Sequence, residues 1–147
     1  MKNSATLQWR QAALDDCPVL AELNHQLIRG EGHRNNQDVA QLEQRMRGWL
    51  HSSEYSAVVF EIDDKVVAYA LYRETAGEIY LRQLFVIRTL RRAGIGRQAF
   101  AILQKKIWTN TKRLTVEVLT QNEAAIAFWH AFGYQDYSLR LEIMPKA

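Results

Sequence analysis

Two glycines and a cluster of arginines stand close together in the sequence RRAGIG at positions 91–96, which Arg97 follows. Glycine lets a ligand approach the backbone without meeting a Cβ atom, and guanidinium groups match phosphate oxygens in pairs. The flanking patterns predict a buried strand before this stretch and a helix after it, so the amides of the first helical turn would add free donors. We predict a phosphate-binding site here; a solvated loop with a helix cap is the alternative.

The glycine spacing limits which phosphate site this can be. The pattern GxxxxGK[ST] of a nucleotide-binding loop is missing, and Gly96 is followed by Arg97, Gln98 and Ala99, so GxGxxG is missing as well. A single glycine pair suits one pyrophosphate.

The composition is that of an ordinary globular protein. The chain has 147 residues, 48% hydrophobic and 24% charged, which suits one domain with a sizeable core. The net charge of +3 is concentrated around the RRAGIG stretch rather than along a basic stripe, so we do not expect a nucleic-acid partner. The sequence shows no signal peptide, no apolar run of membrane length and no metal-ligand pattern, which predicts a cytoplasmic protein without a membrane or metal partner.

The single cysteine, Cys17, excludes an internal disulfide and fits a reducing compartment. It precedes Pro18 at a predicted helix start, where a thiol pKa can fall. We favour a packing role over a reactive one.

Hydrophobic periodicity and turn residues divide the chain into alternating elements. A tight hairpin is predicted at Asp63 and Asp64. The predicted strands cover residues 6–11, 56–62, 65–72, 78–87, 113–119 and 137–143. The predicted helices begin at Asp15 or Asp16 and end before Gly30 and Gly32, run over 38–50 and 95–107, and run over 122–132 before Gly133.

Strands that follow each other directly pair antiparallel, while strands joined through a helix can run parallel. The order therefore predicts an α/β fold of the α+β type, with a mixed, mostly antiparallel central sheet of six to seven strands and helices on both faces. Its ligand site should lie where the parallel strands end.

Two motifs in this order resemble the GNAT superfamily of acetyl-CoA-dependent N-acetyltransferases. Its cofactor motif, Q/R-x-x-G-x-G/A after a strand, is matched by Arg91, Gly94 and Gly96. A second family segment consists of N-x-x-A followed by an aromatic residue and G-F. The residues of this sequence that resemble it are Asn122, Ala125, Phe128, Gly133 and Tyr134. The resemblance covers essentially the whole chain and implies one acetyltransferase domain over residues 1–147.

The resemblance also implies how acetyl-CoA would bind. The amides of residues 92–96 would hold the pyrophosphate, and the pantetheine would pair like an added strand with the end of the strand before them. The amide of Val86 would polarise the thioester carbonyl. The implied cofactor-binding residues are Leu84, Phe85, Val86, Arg91, Arg92, Ala93, Gly94, Ile95, Gly96, Arg97 and Asn122.

Direct attack by an amine needs a base and a way to stabilise the leaving thiolate. The candidates for the base are Glu117, beside the expected thioester, and Glu31 and His33, in a loop that covers the acceptor in many relatives; each could instead be a solvated or ion-paired side chain. Where many relatives have an acidic tyrosine this chain has Trp129, which cannot act as an acid. Tyr134, Tyr137 or solvent could supply the proton, or the thiolate could leave unprotonated.

Two further positions bear on the acceptor. The strand over residues 79–86 is similar to that of the polyamine acetyltransferases, but their Glu and Asp are replaced by Arg82 and Gln83. A cationic Arg82 would repel a polycation and could bind an acceptor's carboxylate.

The sequence therefore predicts acetyl transfer from acetyl-CoA to a primary amine of a small molecule or peptide. A CoA-binding regulatory module without turnover is the alternative. Homodimerisation is common in the family, but no feature of this sequence establishes it.

Overall fold

The computed structural model describes residues 6–109 and 111–146. The chain divides into two compact units, which end and begin at Glu117 and Val118. The larger unit contains the sheet, and the smaller unit contains one helix.

The larger unit is built on a five-stranded sheet with strand order β1-β2-β3-β4-β5. The first three neighbour pairs are antiparallel, and β4 and β5 are parallel, which confirms a mixed, mostly antiparallel sheet. Asp63 and Asp64 form the predicted tight turn between β2 and β3, both with positive φ. The strands are β1 (Gln8–Gln11), β2 (Ser56–Ile62), β3 (Lys65–Glu74), β4 (Glu78–Val86) and β5 (Arg113–Val116).

The predicted count of six to seven strands is wrong, because the strand expected over residues 137–143 does not form in the described structure. Apolar and polar residues alternate there, but alternation specifies only which face a side chain would take, and a strand also needs a neighbour to accept its hydrogen bonds. β5 is also shorter than predicted and ends at Val116.

Local capping residues explain where the helices of the larger unit begin and end. The Asp38 carboxylate accepts from the Gln41 amide at 2.8 Å, and the Gln41 side chain accepts from the Asp38 amide at 2.9 Å, a capping box. Gly32 ends the first helix with φ +71°. The helices are α1 (Cys17–Glu31), α2 (Val39–Ser52) and α3 (Ile95–Ile102), and a π-helical turn (Leu103–Ile107) extends α3.

Helices cover both faces of the sheet, as predicted. On the face that we call the α1/α2 face, Leu20, Leu27 and Met46 pack against sheet residues such as Val59 and Tyr69. The opposite face packs against α3 and the residues that follow it. There Trp108 contacts the rings of Tyr72 and Phe100 edge to face, with centroids 5.4 and 5.9 Å apart. The central strands are therefore buried on both sides, which fits their long apolar runs.

The smaller unit is organised by the helix α4 (Glu123–Ala131). Asn122 caps it by accepting from the Ala125 amide at 3.2 Å, and Gly133 follows it with φ +100°. Its aromatic residues Phe128, Trp129, Phe132 and Tyr134 contact one another, with ring centroids 4.8 to 6.5 Å apart.

Across residues 6–109 and 111–146, no helix has the length and apolar character that a membrane crossing requires.

Replacing either of two uncrowded glycines by alanine should change stability, but in opposite directions. A Cβ atom at Gly48 or Gly32 would meet no atom within 4 Å, but Gly48 lies inside α2 and Gly32 has φ +71°. We expect Gly48→Ala to raise the free energy of unfolding by about 0.5–1 kcal/mol, since alanine is the better helix former. Gly32→Ala should lower it by about 1–2 kcal/mol, because the left-handed backbone strains an L side chain. Urea denaturation measures both, and changes of equal sign would contradict this explanation.

Candidate active site

One extra residue in β4 shapes the region where the site was predicted. Leu71 of β3 pairs with Gln83, but the next residue, Tyr72, pairs with Leu81, so Arg82 has no partner on β3. This is a β-bulge, which bends the strand and increases its twist. Because of the bulge, the side chains of Arg82 and Gln83 both lie on the α1/α2 face.

The parallel ladder between β4 and β5 ends at this bulge. Its last pair is Leu81 with Val116, although β4 continues to Val86. Along residues 82–86 the strand is therefore paired with β3 alone within the described sheet. The end of the parallel ladder opens one edge of β4, as the resemblance implies.

The main-chain direction of each β4 residue follows from one hydrogen bond. The Ile87 amide donates to the Val67 carbonyl of β3 at 2.9 Å. Because successive residues point their main-chain groups to opposite edges, Phe85 also faces β3, while Leu84 and Val86 face the open edge. Of the three predicted main-chain partners of the pantetheine, Leu84 and Val86 therefore face the open edge, whereas Phe85 does not. The side chain of Phe85 is buried.

The predicted phosphate loop leads directly into α3. Its residues Arg92 and Gly94 have positive φ values of +67° and +80°. The first helical hydrogen bond runs from the Gln98 amide to the Gly94 carbonyl at 3.1 Å, so the amides of Ile95 and Gly96 precede it. An L residue such as Arg92 in the left-handed region stores about 1–2 kcal/mol of strain, and strain of this kind is concentrated at ligand sites.

The arginines around this loop do not all point the same way. The Arg91 Nε donates to the Val86 carbonyl at 3.1 Å, and its guanidinium stacks on Phe85 at 5.1 Å. Arg91 therefore ties the loop to the end of β4. Arg88 extends towards α1, where its Nη2 lies 3.6 Å from the position of a Cβ on Gly30. The chain presents the groups that a pyrophosphate and an extended pantetheine need: exposed glycine-loop amides and an open strand edge.

The candidate base Glu117 lies beside Tyr80. Tyr80 donates its hydroxyl hydrogen to the Glu117 Oε1 at 3.0 Å. Burial, and after it this hydrogen bond, raises the pKa of Tyr80 to about 12, so the phenol stays a donor at neutral pH. Glu117 is exposed, which leaves its carboxylate accessible.

The second candidate, Glu31, ends α1 and is hydrogen bonded to His33 at 2.9 Å. Both side chains are partly exposed. Burial raises the pKa of Tyr69, and the charges of Arg45 and Glu31 act on the same hydroxyl with opposite signs. Glu31 is therefore one of the charges that act on the Tyr69 hydroxyl, although its own carboxylate is hydrogen bonded to His33.

Arg45 of α2 was not among the site residues predicted from the sequence. Its guanidinium lies 4.5 Å from the centroid of the Trp49 ring, and that of Arg82 lies 4.8 Å from the same centroid. Arg45 follows Leu42 by three residues and precedes Trp49 by four, so it is a charged residue on an apolar stripe. A charged residue at such a position could have indicated a functional arginine. Gln83, by contrast, is buried and accepts from the Tyr69 hydroxyl at 2.7 Å.

The smaller unit holds two predicted site residues. Asn122 uses its side-chain oxygen to cap α4, so its amide nitrogen is the group left for a ligand. Burial raises the pKa of Tyr134, which keeps its hydroxyl protonated. Trp129 packs among the aromatic rings around it, which supports a structural role.

Cys17 is fully buried in the core of the larger unit, and burial raises the pKa of its thiol. A thiol in this environment is a poor nucleophile, in agreement with the predicted packing role.

The chain resembles the crystal structure of a possible acetyltransferase from Clostridium difficile 630 with a TM-score of 0.81 and 19% identity, covering 96% of this chain and 98% of the other. It resembles the aminoglycoside N-acetyltransferase AAC(6')-Iy in complex with CoA with a TM-score of 0.78 and 13% identity, over 100% and 99% of the two chains.

A third similar structure is the ribosomal-protein-alanine N-acetyltransferase from Brucella melitensis biovar Abortus 2308, with a TM-score of 0.76 and 13% identity over 95% and 100% of the chains. A search of curated protein sequences gave no match. At these identities the structures establish the fold alone.

The sequence itself matches the family model of the acetyltransferase (GNAT) family over residues 14–134, which is most of its length. The match includes the open edge of β4 and the glycine loop. The chain belongs to the GNAT family of acetyl-CoA-dependent N-acetyltransferases.

Proposed function

We propose that the protein transfers the acetyl group of acetyl-CoA to a primary amine by direct attack in a ternary complex, and that the whole chain acts as one acetyltransferase domain. Acetyl-CoA supplies an activated thioester. The observation that carries the proposal is the end of the β4–β5 ladder at Leu81 and Val116, which leaves Leu84 and Val86 facing an open edge beside the glycine loop.

In this proposal the main chain of β4 binds the pantetheine and polarises the thioester carbonyl. Leu84 and Val86 present main-chain groups to the open edge, and the Val86 carbonyl already accepts from Arg91. The Val86 amide is then the donor that faces the thioester oxygen. One such donor can contribute about 3 kcal/mol to the stabilisation of a developing oxyanion.

Glu117 is the proposed base. Its carboxylate is exposed on the larger unit, and the Tyr80 hydroxyl fixes one of its oxygens at 3.0 Å. The other oxygen can then accept a proton from the acceptor amine, directly or through a water molecule. Glu31 is the weaker candidate because it is bonded to His33.

Tyr134 is the proposed acid for the leaving thiolate. Its raised pKa keeps the proton on the phenol at neutral pH, which a general acid requires. Departure as a thiolate is the alternative, since a thiol of this kind has a pKa of about 8.5. Asn122 stays a predicted cofactor residue.

The acceptor is a small molecule or a peptide amine. Aminoglycosides and polyamines are disfavoured, because Arg45 and Arg82 present positive charge on the α1/α2 face. The regulatory module without turnover remains the second candidate, and turnover with any amine would exclude it. Homodimer formation stays a prediction.

The first prediction concerns cofactor binding. Gly94→Ala places a side chain at φ +80° and so displaces the first amides of α3. We expect the Kd for acetyl-CoA to rise about tenfold, in line with roughly 1–2 kcal/mol of strain. Calorimetric titration measures this. Gly77→Ala, at a position with no atom within 4 Å and ordinary φ, is the control and should bind normally. Equal affinities for the two variants would contradict the loop's role.

The second prediction concerns the base. Glu117→Gln should lower kcat about 100-fold or more, because general-base catalysis typically contributes that much, while the Kd for acetyl-CoA stays unchanged. The matched control is Glu74→Gln at the end of β3, since the Glu74 carboxylate already pairs with Lys112 at 2.7 Å. Acetyl-CoA-dependent thiol release measures kcat. A decrease below about threefold would remove Glu117 from the mechanism.

The third prediction uses the pH dependence. A phenol whose pKa is raised to about 12 stays neutral until the pH approaches that value. The profile of kcat/KM should therefore show no ionisation of Tyr80 between pH 6 and about pH 10. Tyr80→Phe should therefore leave the alkaline side of the profile unchanged over this range. An alkaline limb near pH 10 that disappears in Tyr80→Phe would contradict this assignment.

A further inference from the structure

Arg45 and Arg82 place two positive charges against one indole ring. Their guanidinium carbons lie 4.5 and 4.8 Å from the Trp49 centroid, and the ring of Tyr55 lies 4.8 Å from that of Trp49. Cation–π attraction holds each arginine to the ring, but the two charges repel each other. Burial, followed by the charge of Arg82, lowers the pKa of Arg45.

No acidic side chain of the described residues forms an ion pair with either arginine. Glu31 is bonded to His33 and Glu117 to Tyr80, and these are carboxylates of the same face. Arg82 donates to a neutral group, the Tyr55 hydroxyl, at 3.3 Å. Arg82 is exposed, but Arg45 is partly buried. A partly buried cation without an acidic partner is unusual, since proteins normally pair such charges.

One nitrogen of Arg45 adds a second observation. Its Nε is buried and has no hydrogen-bond partner among the described residues. Leaving a buried donor unsatisfied carries a free-energy cost, which is larger when the group is charged. An acceptor group that arrives with a ligand would remove this cost and the repulsion between the arginines.

We propose that Arg45 and Arg82 bind the carboxylate of the acceptor, so that the acceptor is a small amino acid rather than a polyamine, an aminoglycoside or a peptide amino end. This inference rests on the proposed function. Planar guanidinium groups bind carboxylates in pairs of parallel hydrogen bonds, which also orients the ligand.

The position of the arginines relative to Glu117 supports this substrate class. Arg82 and Tyr80 are two residues apart on the α1/α2 face of β4, about 7 Å along the strand, and Tyr80 holds Glu117. A ligand with its carboxylate at the arginines would extend its amine along this face towards Glu117. An amino acid carries both charges in this order, whereas a polycation carries no group for the arginines.

The test compares matched acceptors in the acetyl-CoA-dependent thiol-release assay. Amino acids are supplied as free acids, as α-carboxamides that mimic the first residue of a peptide, and as aminophosphonates. We expect turnover of at least one free acid and a kcat/KM at least about tenfold lower for its carboxamide. Arg45→Gln and Arg82→Gln should each raise KM for the free acid about 10- to 100-fold, the loss of a charge-assisted hydrogen bond, and leave the carboxamide kinetics unchanged.

Arg73→Gln is the matched control. Arg73 lies on the neighbouring strand and stacks on Tyr55 at 5.3 Å, but it already pairs with Glu54 at 3.8 Å. Its KM for the free acid should stay unchanged. Carboxamides that react as well as free acids would overturn the inference in favour of a peptide acceptor, and a preference for aminophosphonates would assign the site to a phosphate-type anion.

Two direct binding measurements separate this inference from the proposed function. Thermal stabilisation by acetyl-CoA alone tests the cofactor site and does not involve Arg45 or Arg82. Calorimetry with N-acetyl amino acids in the presence of CoA tests the arginines without turnover. Acetyl-CoA binding without any carboxylate-dependent product binding would overturn the inference and leave the proposed function standing. A different result would support the anion site and overturn the cofactor assignment. In that case N-acetyl amino acids bind and both arginine variants lose this binding, but acetyl-CoA gives no thermal stabilisation.

Discussion

The single extra residue in β4 is the constraint on which the candidate site depends. A strand that kept its register would continue its ladder with β5, and the main-chain groups of Leu84 and Val86 would be satisfied within the sheet. The bulge at Arg82 instead coincides with the end of that ladder at Leu81. The bulge also places the Arg82 side chain beside Trp49. One backbone irregularity thus accompanies both the open edge of β4 and the position of Arg82 beside Trp49.

In the proposed function, several polar groups of this region are available to ligands. They include the open edge of β4, the first amides of α3, and the buried Nε of Arg45. Arg92 adds backbone strain, with φ +67° at a residue that is not glycine. The rest of the larger unit offsets these costs with a core that is buried on both faces of the sheet. Binding sites commonly show this pattern, because a group already satisfied by the protein has little to gain from a ligand.

Family membership specifies the reaction but not the acceptor, since one fold supports many substrates. The structural relatives include enzymes for an aminoglycoside and for a ribosomal protein. In this chain the distinguishing feature is electrostatic. Two arginines meet at Trp49, while the carboxylates of the same face are bonded to His33 and Tyr80. The charge pattern is the opposite of one that would attract a polycation.

Local patterns in the sequence were enough to predict most helices and strands and the glycine loop. Periodicity and capping residues such as Asp38 and Gly32 act over a few residues, so their outcome can be predicted from the printed sequence. The motif over 91–96 could be recognised for the same reason. Alternation over residues 137–143 predicted a strand that the structure does not contain, because a strand also depends on a partner far away in sequence.

Which functional groups come together depends on how distant segments pack. Arg45 and Arg82 are 37 positions apart and on different elements, and their common contact with Trp49 follows from how α2 packs on the sheet. The pairing of Tyr80 with Glu117 likewise depends on the register of β4 against β5. Register and packing are properties of several segments at once, so no local pattern specifies them.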